Sequence, residues 1–137
     1  MKLLKDWEQE PFEGSAIYKI RLKNQPIERF LGKDKDGILA IGKTKKLKKR
    51  IKHFNKALEI GKRHSAGRTL FLNQEQFNRK FKYPSLWYSF RPVRECDLSN
   101  EEAREIKQYM KVFGELPPLN SAIPQKKKWI KEKQRGG

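Results

Sequence analysis

The chain has 137 residues and a formal net charge of +17, from 33 lysines and arginines against 16 acidic residues. A hydrophobic fraction of 36% is too high for a wholly disordered chain, so we expect one folded domain. The single cysteine, Cys96, excludes an internal disulfide. With only two histidines beside it, an ordinary structural zinc site cannot be built without acidic ligands.

The excess of positive charge is the strongest feature of the composition. Self-repulsion of this size opposes compaction unless an anionic partner neutralises it. Nucleic acid is the favoured partner because each neutralised phosphate releases counterions, and an anionic membrane surface is the alternative. No run of about 18 apolar residues and no signal-peptide core follows the first ten residues, so we expect a cytoplasmic protein in a reducing compartment.

The first part of the chain predicts two strands. Residues 14–22, GSAIYKIRL, alternate in hydrophobicity and indicate a half-buried strand. A polar connection follows, in which residues 27–31 could add a short strand before the turn at Asp36 and Gly37. Residues 38–42, ILAIG, are apolar on both faces and predict a short central strand.

The hydrophobic period changes after Thr44, which is the expected N-cap of a helix. Gly61 is expected to end this helix, whose outer face carries a dense run of lysines. The apolar residues at helical spacing are Leu47, Ile51, Phe54 and Leu58.

The second part of the chain predicts two more helices and a strand. A short helix is expected over residues 73–80, and the strand LWYSFRPV is expected to end near Pro92. Ser99 and Glu102 have the spacing of a capping box, which predicts the start of a helix that Gly114 ends.

The order β-β-α-α-β-α predicts an α/β or α+β domain around a small sheet. This single domain is expected to cover residues 1–123. Residues 124–137 carry six basic residues and one acid with little to bury, and they predict a flexible basic tail in which Trp129 could stack on bases.

Two tripeptides and the helix that follows them resemble the GIY-YIG nuclease family. Residues 16–18 (AIY) match the first motif, residues 40–42 (AIG) match the second, and the basic helix contains KKRIKHF. The resemblance runs from about residue 15 to Asn120, and it implies a small, mostly antiparallel three-stranded sheet flanked by helices. It also implies a Mg²⁺-dependent DNA endonuclease, in which Mn²⁺ could substitute. Ala40 stands where the family has tyrosine.

Hydrolysis of a phosphodiester requires an activated water, charge neutralisation on the phosphate and help for the leaving oxygen. By the resemblance, Tyr18 accepts or relays a proton and Arg50 binds the phosphate through two hydrogen bonds. His53 follows three residues later on the same helix face and could shuttle a proton. Without the family pattern, Tyr18 would be interpreted as a core aromatic residue and Arg50 as one more solvated cation.

Glu105 is the predicted metal ligand, because it borders the buried face of the last helix and a single carboxylate suits Mg²⁺. The competitors are Glu102, the expected capping residue, and Glu101, in the first turn where an acid favours the helix dipole. Glu95, near the exit of the last strand, is also possible. Asn120 could bond the backbone of the active site or a phosphate, or could simply belong to a turn.

Lysines at the exit of the second strand and along the basic helix are expected to contact phosphates without reading the base sequence. They are Lys43, Lys45, Lys46, Lys49, Lys52 and Lys56.

Three functional interpretations therefore remain open. The first is a small endonuclease, standing alone or belonging to a phage, mobile element or restriction system, which could dimerise to cut both strands. The second is a catalytically inactive nucleic-acid-binding module on the same fold, to which Ala40 points. The third is a basic RNA-associated protein whose motif match is accidental.

Overall fold

A computed structural model describes residues 1–61, 65–81 and 85–120. The predicted tail at residues 124–137, with Trp129, lies outside the described residues. The strands of the described residues are β1 (Lys2–Leu3), β2 (Ala16–Leu22), β3 (Ile27–Arg29), β4 (Gly32–Asp34), β5 (Ile38–Thr44) and β6 (Leu86–Pro92). The α-helices are α1 (Leu47–Ile60), α2 (Ser65–Leu72), α3 (Gln74–Lys80) and α4 (Leu98–Phe113), with 3₁₀ turns at Leu4–Gln9 and Glu95–Asp97.

The α+β class is confirmed, but the main sheet has four antiparallel strands rather than three, in the order β1-β6-β2-β5. The additional strand is β1, in which Lys2 pairs with Tyr88 and Leu3 with Trp87. Two residues are too few to produce a hydrophobic period, so the sequence pattern could not reveal β1. Strands β3 and β4 form a separate hairpin.

Strand β5 is an edge strand, which corrects the prediction of a central one. Its residues from Ile38 to Ile41 are nevertheless buried. Helices cover both faces of the sheet, because Ala40 packs in a cluster with α1 and α2 while Ile41 packs in a cluster with α4. An apolar strand therefore indicates burial of its faces rather than a central position.

The main core lies between the sheet and α1. Leu47, Ile51 and Phe54 are fully buried there against the β2 face that carries Tyr18 and Ile20. The second core, on the opposite face, joins Ile17, Ile41, Leu98, Ile106 and Tyr109. The successive residues of β2 thus anchor helices on opposite sides of one sheet.

The start of α1 differs from its prediction. The helix begins at Leu47 with Lys46 as its N-cap residue, and no side chain caps it. The Thr44 hydroxyl instead accepts a hydrogen bond from the Lys46 backbone N–H at 3.0 Å, which closes a local turn before the helix. Gly61 ends α1 as predicted, with a left-handed φ of 71°.

The start of α4 also corrects the predicted capping box. The helix begins at Leu98 with Asp97 as its N-cap residue, so Ser99 already lies inside the first turn. The Ser99 hydroxyl accepts a hydrogen bond from Lys43 Nζ at 2.8 Å. Because Ser99 is not the N-cap residue, Ser99 and Glu102 do not form the predicted capping box. The sequence pattern does not predict helix α2. None of the described helices is both long and apolar enough to cross a membrane.

Candidate functional site

Tyr18 and Gly42 are cross-strand partners on β2 and β5, near the end at which β5 leads into α1. The phenol of Tyr18 lies directly over Gly42. A Cβ added at position 42 would lie 2.5 Å from the Tyr18 hydroxyl oxygen, far inside van der Waals contact. Glycine at this position therefore makes room for the phenol, which explains part of the second motif in physical terms.

Arg50 connects the basic helix to this pair. Its Nε donates a hydrogen bond to the Tyr18 hydroxyl at 3.0 Å, in a partly buried setting. Burial raises the pKa of Tyr18 above its ordinary value of 10.0, Glu102 raises it further, and the cationic Arg50 lowers it only in part. The phenol is therefore protonated at neutral pH.

Glu102 reaches the same place from α4. Its carboxylate lies near the backbone N–H of Lys43 and close enough to Tyr18 to affect the phenol's pKa. Burial raises the pKa of Glu102, while Lys43 and Arg50 lower it in part. We call Tyr18, Lys43, Arg50 and Glu102 the Tyr18 cluster.

Helix α4 and the chain that follows it contact the outer edge of β5, which is the edge that faces away from β2. Backbone groups of alternate β5 residues point away from β2 and need partners. The Leu39 carbonyl accepts a hydrogen bond from the Leu119 N–H at 2.8 Å. Two residues further along, Ile41 is bound by Asn120, and the Glu102 carboxylate lies near the Lys43 N–H.

Asn120 binds both backbone polar groups of Ile41. Its Oδ1 accepts from the Ile41 N–H at 2.9 Å and its Nδ2 donates to the Ile41 carbonyl at 2.9 Å. Of the three roles open from the sequence, the structure thus favours bonding to the backbone of the candidate site. Asn120 thus acts as a positioning residue for the β5 backbone at Ile41.

Glu105 does not lie beside Tyr18. Its carboxylate is 3.2 Å from Arg91 and 3.5 Å from Lys19, with Glu101 bound to the same Arg91 at 2.9 Å. Because neighbouring residues of a strand point to opposite faces, Lys19 and Tyr18 lie on opposite sides of the sheet. The arrangement therefore favours Glu102 over Glu105 as the acid of the site. Glu95 is exposed in the 3₁₀ turn before α4.

The predicted phosphate-contacting lysines lie around the cluster. All six are exposed, and five of them lie on α1 or in the two residues before it. The first turn of α1 contains no acidic residue that would oppose phosphate binding. The Lys43 ammonium donates a hydrogen bond to Ser99. The other five lysines are Lys45, Lys46, Lys49, Lys52 and Lys56.

His53 lines an open groove of about 590 Å³ beside α1. The sequence pattern had not singled out Trp7, which lines the same groove from the 3₁₀ helix. The sequence signal that could have identified Trp7 is a tryptophan within an otherwise polar stretch, KDWEQE. Among the described residues, the groove is lined by Trp7, Glu13, Lys46, Lys48, Lys49, Lys52 and His53.

Comparison of the chain with protein-family models, with curated proteins and with solved structures found no match. The function is therefore inferred from the side chains of the Tyr18 cluster and from the motif resemblance. Within the described residues, no three acidic, histidine or cysteine side chains are grouped closely enough to hold a metal ion among themselves.

Proposed function

We propose that the protein is a Mg²⁺-dependent DNA endonuclease of the GIY-YIG type. The observation that carries the proposal is the meeting of Tyr18, Arg50 and Glu102, which come from β2, α1 and α4. A phenol, a guanidinium and a carboxylate are the three side-chain types that the motif resemblance requires. The surrounding lysines supply the affinity for a polyanion.

Arg50 would stabilise the scissile phosphate. A guanidinium carries five N–H donors, and the bond to Tyr18 uses only the one on Nε. The two terminal nitrogens can then bind phosphate oxygens in a bidentate manner as charge develops. The Nε bond meanwhile keeps the phenol and the phosphate-binding group in fixed relation.

Tyr18 would act as a proton relay rather than as a preformed phenolate. Burial keeps its pKa above the ordinary value, so the free protein presents a neutral phenol at neutral pH. A neutral hydroxyl can orient the attacking water and pass a proton, and it carries no negative charge that would repel the phosphate.

Glu102 would hold the metal ion. One partly buried carboxylate beside Lys43 suits Mg²⁺, which keeps most of its water ligands and bridges to a phosphate. Bound Mg²⁺ would neutralise phosphate charge and lower the pKa of a coordinated water. The raised pKa of Glu102 is compatible with this role, because burial outweighs the nearby cations Lys43 and Arg50.

The inactive binding module is the second candidate, and Ala40 is the observation that favours it. Ala40 is 6% exposed and pairs with Ile20 across the sheet, so position 40 offers only a methyl group. Of the two motif positions 18 and 40, only position 18 then carries a hydroxyl group. A nucleic-acid-binding protein on this fold would need the lysines but not the Tyr18 cluster.

Plasmid cutting separates these candidates. Supercoiled DNA is incubated with the wild type and with Glu102→Gln, Tyr18→Phe and Glu105→Gln, in Mg²⁺, in Mn²⁺ and in EDTA. We expect metal-dependent nicking by the wild type and by Glu105→Gln, and its loss in the other two variants. Linear product at low conversion would indicate a homodimer that cuts both strands.

Other outcomes identify the alternatives. Cutting that survives Glu102→Gln but not Glu105→Gln would return the metal to the residue that the sequence favoured. Salt-sensitive DNA binding without cutting would support the inactive module, and a strong preference for structured RNA would support the RNA-associated protein. A cytoplasmic location is proposed with the nuclease, since the exposed thiol of Cys96 suits a reducing compartment.

A further inference from the structure

We propose that the groove between the 3₁₀ helix Leu4–Gln9 and α1 binds an unpaired nucleotide of the DNA, with its base stacked on Trp7. The groove contains Trp7, four lysines, His53 and Glu13, and we call it the Trp7 groove. This inference rests on the proposed DNA-binding function and names its substrate class: DNA with an unpaired segment beside the cleaved phosphate.

Trp7 is held so that its ring contributes to both the core and the groove. The 3₁₀ helix packs against α1, and its Leu4 is 2% exposed within the main core. Trp7 is partly buried against that core while it lines the groove. A ring supported by the core offers a prearranged surface, which lowers the entropy lost when a base stacks on it.

The charges around the ring suit a nucleotide chain. Lys46, Lys48, Lys49 and Lys52 line the groove from the start of α1. Lys52 Nζ lies 5.6 Å from the centroid of the Trp7 ring, in cation–π contact. A basic groove that also presents an aromatic ring is the usual arrangement for binding single-stranded nucleic acid.

The tryptophan distinguishes an unpaired base from a phosphate alone. Lysines would suffice for the phosphates of a duplex, whereas the ring gains only from a flat apolar partner. Glu13, the acid of the lining, repels phosphate but can accept a hydrogen bond from a base amino group. Bases of an intact duplex are stacked on one another, so only an unpaired base can reach Trp7.

Helix α1 connects this groove to the Tyr18 cluster. Arg50 of the cluster and His53 of the groove lie three residues apart, about one turn, on neighbouring positions of the helix surface. Lys46 and Lys49 flank Arg50 in the same turns. A strand whose phosphate lies at Arg50 can therefore continue along α1 into the Trp7 groove.

Binding in EDTA tests the inference without any need for cutting. The dissociation constant is measured for a blunt duplex and for a duplex ending in a three-nucleotide oligothymidine flank, with equal numbers of phosphates. We expect the wild type to prefer the flank about tenfold, the effect of one stacked base. Trp7→Leu should abolish the preference, and Trp7→Phe should retain most of it.

Trp87 provides a matched control. It also has a lysine over its ring, with Lys23 Nζ at 4.5 Å, but it does not line the Trp7 groove. Trp87→Leu should leave the preference for the flank unchanged. Equal preference in the wild type and Trp7→Leu, or an equal loss of affinity for both DNAs in Trp7→Leu, would overturn the inference.

Tryptophan fluorescence provides a second test that does not depend on the folding of Trp7→Leu. In a protein carrying Trp87→Phe and Trp129→Phe, oligothymidine should quench the remaining Trp7 emission, and unchanged emission on a bound oligonucleotide would overturn the inference. The two proposals fail separately. Cutting without a preference for the flank retains the nuclease alone, and a preference without cutting retains the Trp7 groove alone.

Discussion

Glu10 is buried and Glu102 is half-buried, and the pKa values of their carboxyl groups shift in opposite directions. Glu10 is 1% exposed and accepts hydrogen bonds from Tyr88 at 2.7 Å, the Phe12 N–H at 2.9 Å and Lys2 at 3.0 Å. Burial raises the pKa of Glu10, but these donors outweigh burial and the net shift is downward. For Glu102, burial outweighs Lys43 and Arg50, and the net shift is upward.

This difference separates Glu10, a carboxylate that stabilises the fold, from Glu102, to which the proposed function assigns a metal ion. Donors from three separate residues make the charged form of Glu10 the stable one, so it ties the N-terminal segment to β6 through Tyr88. For Glu102 the nearby cations do not offset burial, and under the proposed function a divalent cation would supply further positive charge. Burial alone therefore does not identify a functional carboxylate; the balance of its donors does.

The largest expected effect is on stability at Glu10. Glu10→Ala leaves the Tyr88 hydroxyl and the Phe12 N–H without their acceptor, which should lower the free energy of unfolding by about 3 kcal/mol. Glu102→Gln should change it by less than about 0.5 kcal/mol, because a neutral amide avoids the desolvation penalty. Urea denaturation measures both, with the exposed Glu8→Ala as control. Similar losses at Glu10 and Glu102 would remove the distinction.

Gly42→Ala should have the next largest effect. The new methyl group would clash with the Tyr18 phenol, which should lower the free energy of unfolding by about 2 kcal/mol. Displacement of the phenol should also reduce plasmid cutting by about a hundredfold. In a Tyr18→Ala background the same substitution should be nearly neutral for stability, because the clash is gone. A full loss in that background would place the cause elsewhere in β5.

Asn120→Ala should lower the free energy of unfolding by about 1 kcal/mol, because it removes two hydrogen bonds at the edge of β5. Hydrogen exchange of the Ile41 amide, measured by NMR, should accelerate while amides of the central strand β2 stay protected. Asn100→Ala, at an exposed position of α4, is the matched control. An unchanged exchange rate at Ile41 would contradict the positioning role of Asn120.

The smallest expected effects concern pH. The lowered pKa of Glu10 gives stability that is present above its ordinary value of 4.5 and is lost as pH falls through the folded value. Glu102 has the opposite sign: its raised pKa favours folding at low pH, and that contribution is lost as pH rises through the folded value. Denaturation of Glu10→Gln and Glu102→Gln across pH 3–7 should therefore give differences from wild type with opposite slopes. Parallel slopes would contradict the comparison.

Local patterns in the sequence sufficed for much of the fold. The alternation in β2, the helical spacing in α1 and the stops at Gly61 and Gly114 depend only on neighbouring residues, and the structure has them where they were expected. The predicted starts of α1 and α4 are wrong for the same reason, because they too consider only neighbouring residues. Thr44 and Ser99 have capping chemistry, but Thr44 closes a turn and Ser99 binds Lys43 from a distant strand.

The sequence by itself determined the periods, the helix ends and the basic surface, because these depend on residues close together in the chain. Only the tertiary structure decided that β5 is an edge strand, that Asn120 closes this edge, and that Glu102 rather than Glu105 faces Arg50. Residues 102 and 105 are about 60° apart around α4, so a small rotation of the helix against the sheet selects between them. That rotation is set by packing across the whole core, which no local pattern records.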